Sequence, residues 1–294
     1  MALEPTSAPH EIIPPHPSPD GENLTLAPGS PLAREAARRT RRSFIGLGLA
    51  GVAGVLGWRY LLTAPDAEGT PAPFRRVLDA NGRLSAAYFR ETRLAPEFAR
   101  SQGAREVRTN GSAGLESDID LAAWRLKVIP YAEDTTYAEH TRTQEFTLAD
   151  IKALPRIEMT TELKCIEGWS IKVNWAGARF ADFLAKYPLA SLSRQPIKDI
   201  ATPPADLAPY VSLVTPDEEY YVGLDMHSAI HPQTLLCYEI NGQPLTLEHG
   251  APLRLVTPLK YGIKHLKRIG TIAFVDQRPA DYWAEQGYDW DAGH

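Results

Sequence analysis

The chain has 294 residues, of which 44% are apolar and 23% charged, with 25 prolines against 21 glycines. That composition excludes collagen, a coiled coil and a wholly disordered chain, and its prolines point away from a mostly helical protein. A net charge of -5 gives no general sign of a nucleic-acid binder, and two cysteines, Cys165 and Cys237, are too few for a disulfide-rich scaffold or a four-thiolate zinc site.

Residues 1–37 read as a disordered, Pro-rich tail. Positions 1–31 hold eight prolines and no lysine or arginine, so they cannot bury enough apolar area to offset their ordering entropy. Residues 38–64 change character. Arg38, Arg39, Arg41 and Arg42 precede an uncharged apolar run from Phe44 to Trp58, a basic n-region followed by an h-region. The string Thr40-Arg41-Arg42-Ser43-Phe44-Ile45 fits the twin-arginine pattern of proteins exported already folded. No A-x-A cleavage site follows. Tyr60 to Leu62 could lengthen the run with Arg59 snorkelling, so the segment is either a cleaved signal or a retained anchor. Both readings put the rest of the chain outside the cytoplasm.

Residues 65–118 read as a leader. Thr70-Pro71-Ala72-Pro73 is expected to be extended, Leu84 to Phe89 a short helix, and Asn110-Gly111 and Gly114 turns. The main domain is expected over 119–294. Trp124, Leu126 and Val128 alternate with Arg125 and Lys127, the pattern of a half-buried strand. Thr147 caps a helix with Asp150 three residues on. Strands are expected over Glu158–Lys164 and Ile171–Trp175, the latter ended by Gly177. A helix over Phe180–Tyr187 stops at Pro188. Further strands are expected over Tyr210–Thr215, Leu235–Ile240, Leu253–Val256 and Thr271–Val275. Asn241-Gly242 predicts a hairpin returning through Leu245–Leu247. The fold class is α+β, or mostly β with peripheral helices.

Three features could carry chemistry. Cys165 ends a strand before Glu167, Gly168 and Ser170, with Lys164 beside it to favour thiolate. It could be a metal ligand, a nucleophile, the disulfide partner of Cys237, or an inert thiol. Cys237, among Leu235, Leu236 and Tyr238, looks like a core thiol. The run Arg254, Lys260, Lys264, His265, Lys267 and Arg268 surrounds Gly262 and could hold a phosphate, or could be a solvated basic face. His227 and His231 have the spacing of a helical zinc pair, but Pro232 follows and no third ligand is near. No G-x-S-x-G elbow is present.

The runs Cys165-Ile166-Glu167-Gly168-Trp169-Ser170 and Trp175-x-Gly177 resemble the molybdopterin domain of the sulfite oxidase superfamily. So do the segments His231 to Leu235, Asn241 to Leu245, Gly250 to Leu255 and Lys260 to Lys264. The likeness spans about residues 107–283 and is strongest to the bacterial periplasmic branch of protein-methionine-sulfoxide reductases. It implies a β-rich α+β fold and a mononuclear Mo-molybdopterin cofactor with Cys165 as both metal ligand and catalytic residue. It further implies cofactor contacts at Asn110, Ala113, Gly114, Thr215, His249, Arg254, His265, Leu266 and Lys267. His249 replaces the family's asparagine, and Asn110 to Gly114 replaces an aromatic-rich loop.

By that resemblance the chain is an exported oxygen-atom-transfer enzyme, sulfoxide-reductase-like, fed electrons by a membrane partner such as a haem protein. It is expected to act as a monomer on a small-molecule or protein sulfoxide, without nucleic acid. A sulfite oxidase is the alternative enzyme. No arginine follows Cys165 closely, and the chain leaves no room for a C-terminal dimerisation domain; both weigh against it. The rival of another class is a cofactor-free exported binding domain.

Overall fold

In a computed structural model, the structure describes residues 30–67, 69–88, 93–109, 111–132 and 143–294. The chain divides into two units, residues 1–60 and 61–294.

The first unit is described by one helix, α1 (Pro31–Thr63), whose last residues belong to the second. It begins inside the stretch expected to be disordered, so residues 31–37 are helical instead. Pro31 starts it at a position where no amide donor is required. Its length from Ala33 to Thr63 and its hydropathy are sufficient to cross a membrane.

In the second unit, β1 (Asp66–Ala67) and β2 (Thr70–Pro71) pair across a turn at Gly69. Helix α2 (Ala72–Tyr88) follows. It replaces the expected extended Pro73 segment and the shorter helix near Leu84, because Pro73 sits in the first turn, where its ring is tolerated.

Two five-stranded sheets build the body. One is formed by β5 (Arg156–Lys164), β6 (Ser170–Arg179), β9 (Leu235–Ile240), β10 (Gln243–Pro244) and β11 (Arg254–Val256). All its pairs are antiparallel. The other has the order β4-β3-β12-β7-β8, comprising β3 (Leu126–Ile129), β4 (Gln144–Phe146), β7 (Tyr210–Val214), β8 (Tyr221–Asp225) and β12 (Thr271–Val275). Only β3 and β12 run parallel there. Short helices α3 (Leu148–Lys152), α4 (Phe180–Lys186), α5 (Met226–Ala229) and α6 (Tyr282–Glu285) flank the strands. The fold is α+β, as its sequence pattern predicts.

Local chemistry accounts for the elements. Thr147 and Asp150 form a reciprocal capping box on α3. Asn241 and Gly242 have φ of 54° and 74°, the positive pair of a two-residue hairpin turn. The return strand is Gln243–Pro244, earlier than expected, since Leu247 opens a short 3-10 turn. Gly177 does not end β6. The strand continues to Arg179, and Gly177 sits at a bulge where a Cβ would lie 2.3 Å from the Leu236 carbonyl oxygen. The absent side chain lets β9 approach.

The larger core packs Trp124, Leu126 and Val128 against Phe180, Phe183 and Leu213. A smaller one gathers Met159, Leu163, Val173, Trp175 and Cys237 at the β5–β6–β9 end.

Candidate active site

Strands β5 and β6 form a hairpin whose tip carries Cys165. The Cys165 amide donates to the Trp169 carbonyl at 2.9 Å, and the Gly168 amide to the Cys165 carbonyl at 3.1 Å. Gly168 takes φ of 88°, a conformation that favours glycine. Cys165 thereby lines a cleft of about 180 Å³ with Gly111, Ala113, Arg254, His265 and Lys267. Ile166, Glu167, Tyr220, Gly262, Ile263, Trp283 and Tyr288 line it as well. Neither cysteine forms a disulfide, which removes the Cys165–Cys237 bridge considered from sequence. Cys237 lies in the small core, and burial pushes its thiol up to about 11.

The basic run is not a solvated face. All six of its side chains are buried, and they divide by partner. Lys260 pairs with Asp291 at 2.6 Å, and Lys264 with Asp281 at 2.5 Å. Arg268 donates to the carbonyls of Leu115 and Ser117. These three hold the fold together.

Arg254, His265 and Lys267 face the cleft. The Arg254 guanidinium stacks 4.9 Å from the Trp175 ring and donates to the carbonyls of His249 and His265. Its Nε is buried without a partner, and burial pushes the group down to about 10. Lys267 donates to the Gly111 carbonyl at 2.7 Å; burial, then Arg254, push it down to about 8. Among the described residues neither cation has a carboxylate within ion-pair distance. His265 donates from Nε2 to the carbonyls of Thr257 and Lys260. Its Nδ1 is a buried acceptor without a partner. Burial and then Arg254 push its pKa down to about 3, so the ring is neutral.

The other expected contacts stand behind this wall. Gly114 has φ of 72° and packs on Thr215 and Tyr220, where a Cβ would meet Thr215 Cγ2 at 2.5 Å. Thr215 follows β7, and its hydroxyl accepts from the Tyr220 amide at 3.1 Å. The His249 ring bonds the Val107 carbonyl and the Thr246 hydroxyl, so it reaches Arg254 only through its own carbonyl. Leu266 is wholly buried in the larger core. Asn110 lies outside the described residues.

His227 and His231 do not form a zinc site. His231 donates from Nε2 to the Arg93 carbonyl and accepts at Nδ1 from the Gln233 amide, which occupies both ring nitrogens. Among the described residues no group of three or more His, Cys, Asp or Glu could hold a metal ion. Sequence reading missed the aromatic wall of Tyr220, Trp283 and Tyr288. These residues come from the β7–β8 turn and the chain around α6, segments with no motif beyond their aromatic content. Tyr220 is set by a bond from its hydroxyl to the Ile263 carbonyl at 2.6 Å.

A cysteine facing buried cations that lack acid partners has the chemistry to hold an anionic group bearing a thiophilic metal. The protein is an oxidoreductase that carries a cofactor-binding domain. The family model described as the oxidoreductase molybdopterin-binding domain matches residues 113–283, and the chain belongs to that family. Its cofactor is molybdopterin, and the donor set fits. The buried cations would supply charge for an anionic pterin, the bare Nδ1 of His265 an acceptor, and Cys165 soft sulfur.

Among curated proteins, a candidate protein-methionine-sulfoxide reductase subunit, YedZ1, of Azospira oryzae is 31% identical over 81% of this chain and 84% of that one. The protein-methionine-sulfoxide reductase catalytic subunit MsrP of Xanthomonas campestris pv. campestris is 29% identical over 87% of this chain and 76% of that one. Of solved structures, the sulfane dehydrogenase SoxCD from Paracoccus pantotrophus aligns with a TM-score of 0.42 and 18% identity, over 55% of this chain and 40% of that one.

Proposed function

We propose that this chain is the catalytic subunit of an exported sulfoxide reductase. When bound, the molybdenum cofactor supplies two-electron oxygen-atom transfer. In this reading Cys165 ligates the metal through sulfur. Arg254 and Lys267 neutralise the pterin and its phosphate, and His265 Nδ1 accepts a hydrogen bond from it. Ala113, Gly114 and Asn110 form the N-terminal cofactor loop, with Thr215, His249 and Leu266 behind.

The observation that carries the choice of substrate is the distribution of charge around Cys165. The cations Arg254 and Lys267 are buried and bonded to backbone carbonyls, whereas Tyr220, Trp283, Tyr288 and Ile166 supply much of the remaining wall. Aromatic and aliphatic surface suits a neutral thioether sulfoxide; sulfite needs exposed cations. The names of the curated relatives support the same substrate class. Reduction requires electrons from outside, for which a membrane haem protein is the proposed donor. The twin-arginine string within α1 supports export into the periplasm, and the missing cleavage site supports α1 as a retained membrane span.

The test is molybdenum per chain, by elemental mass spectrometry, on protein exported from a host that makes the cofactor, followed by turnover assays. Near one atom per chain and sulfoxide reduction, with turnover abolished in Cys165→Ala, is the expected result. Robust sulfite oxidation with no sulfoxide turnover would sink the substrate reading. A folded, metal-free chain would leave a binding domain.

A further inference from the structure

Part of the cleft's aromatic wall is fastened by residues that precede the family match at 113–283. Trp283 and Tyr288 form one unit. The Tyr288 amide donates to the Trp283 carbonyl at 3.0 Å, and the two rings meet edge to face with centroids 5.2 Å apart. Helix α6 ends between them, where the last carbonyls need partners from outside the helix.

Two contacts from the start of the second unit meet this turn. Arg75 in α2 is buried and does not line the cleft itself. It donates through Nη1 to the Tyr288 carbonyl at 3.2 Å and through Nη2 to the Ala284 carbonyl. The same guanidinium donates to the Ala67 carbonyl and the Thr70 hydroxyl at 3.3 Å each, so one rigid fork ties β1 and β2 to the turn. Gly69, between β1 and β2, has φ of 71° and rests on Glu285: a Cβ there would overlap the Glu285 carbonyl oxygen. From the other side Asp281 accepts from the Gly223 and Ala284 amides, and the Tyr221 hydroxyl donates to the Glu285 carboxylate. The turn is thus gripped between β8 and residues 67–75.

We propose that Arg75, backed by Gly69, is a positioning residue of the active site. It holds the Trp283–Tyr288 pair at the cleft and thereby sets the fit of the apolar groups that flank the sulfoxide. The role in specificity rests on the sulfoxide-reductase reading; the hold on the turn does not. Loosening a wall that grips the flanking groups weakens ground-state and transition-state binding alike, so KM rises while kcat holds. The effect grows with the apolar area of those groups.

The test uses the full chain loaded with molybdenum, a reduced viologen dye as electron donor, and methyl phenyl sulfoxide or dimethyl sulfoxide as substrate. In Arg75→Met and in Gly69→Ala, KM for methyl phenyl sulfoxide should rise at least fivefold, with kcat within twofold and molybdenum content unchanged. KM for dimethyl sulfoxide should rise less than twofold. Arg75→Lys keeps the charge without the fork and should fall between. Asp79→Asn severs the pair of α2 with Arg278 but leaves the turn alone, so its KM should stay within twofold. On cofactor-free protein, hydrogen exchange reads the turn directly. The amides of 286–288 should exchange at least tenfold faster in Arg75→Met, with those of β5 and β6 unchanged.

Unchanged exchange in Arg75→Met and Gly69→Ala overturns the hold and the whole inference. Faster exchange with both KM values unchanged overturns the specificity role. Loss of molybdenum together with turnover, or an equal rise of KM in Asp79→Asn, makes Arg75 merely structural and overturns it too. A molybdenum-loaded unsubstituted chain that reduces neither sulfoxide overturns the sulfoxide-reductase reading and the specificity role, while faster exchange in the variants still supports the hold. Should Arg75→Met fail to fold, Gly69→Ala decides by the same measures.

Discussion

The Lys267 ammonium donates to the Gly111 carbonyl at 2.7 Å, joining segments 156 residues apart in the chain. The bond closes one side of the cleft that holds Cys165. It also leaves a buried cation answered by a carbonyl dipole alone, with no carboxylate partner among the described residues. A buried charge held without an acid partner costs the cofactor-free chain stability.

That arrangement has a pH signature in cofactor-free protein. Lys267 is pushed from 10.5 down to about 8, chiefly by burial. Between those values the folded chain binds fewer protons than the unfolded chain, so stability rises with pH. The cost of burying the ammonium is present in full below about pH 8 and is relieved as pH climbs through 10.5. The stability of the unsubstituted chain relative to Lys267→Met should therefore increase from pH 7.5 to pH 10. Urea titrations across that range check it, and a flat difference counts against it.

Arg254 should show opposite effects on folding and on loading. Its guanidinium is buried beside Trp175 with an unpartnered Nε. Replacing a buried, unpaired cation by an apolar side chain often stabilises, by about 1–3 kcal/mol. Arg254→Met should stabilise cofactor-free protein by that order while lowering cofactor retention at least tenfold. Denaturant midpoints and molybdenum content together are the measurement. Lost stability in the cofactor-free state would argue that Arg254 is structural.

Gly114 tests the loop that meets Thr215. An added Cβ would lie 2.5 Å from Thr215 Cγ2 and 2.9 Å from Tyr220 Cβ, at a φ that disfavours side chains. Gly114→Ala should cost about 1–3 kcal/mol from strain and overpacking combined. Gly111→Ala is the control: it has positive φ, but an added Cβ there would meet nothing within 4 Å, and so it should cost less. Equal unfolding midpoints for the two variants would refute the packing argument.

The Lys264–Asp281 pair is a purely structural use of the same basic run. Both side chains are almost wholly buried, and Asp281 also accepts from the Gly223 and Ala284 amides. Lys264→Met leaves a buried carboxylate without its cation and should cost about 3–5 kcal/mol. Thermal unfolding measures it, and a loss below about 1 kcal/mol would show that the carboxylate takes up a proton at little cost.

Much of the strand pattern was legible because alternation and turn chemistry are local. Leu126 and Val128 lie inward between exposed neighbours, and Asn241-Gly242 turns where its residue types demand. The strands Gln144–Phe146 and Tyr221–Asp225 were not, since one is three residues long and the other is named only by its pairing with β7. Gly177 misled because its small size marks a close approach of β9 and not a stop.

For the site, the sequence by itself determined the cysteine, the presence of a basic run, and the family they resemble. Residue types and spacing carry that much, because a soft metal ligand and cationic side chains are chemical identities. Only the tertiary structure decided that Lys260 and Lys264 enter ion pairs and that Arg268 binds carbonyls, while Arg254, His265 and Lys267 turn to Cys165. It alone brought Tyr220, Trp283 and Tyr288 to the same cleft. The physical reason is that a buried charge is assigned by which acid lies within a few ångströms, and Asp281 and Asp291 reach the run only through long-range folding.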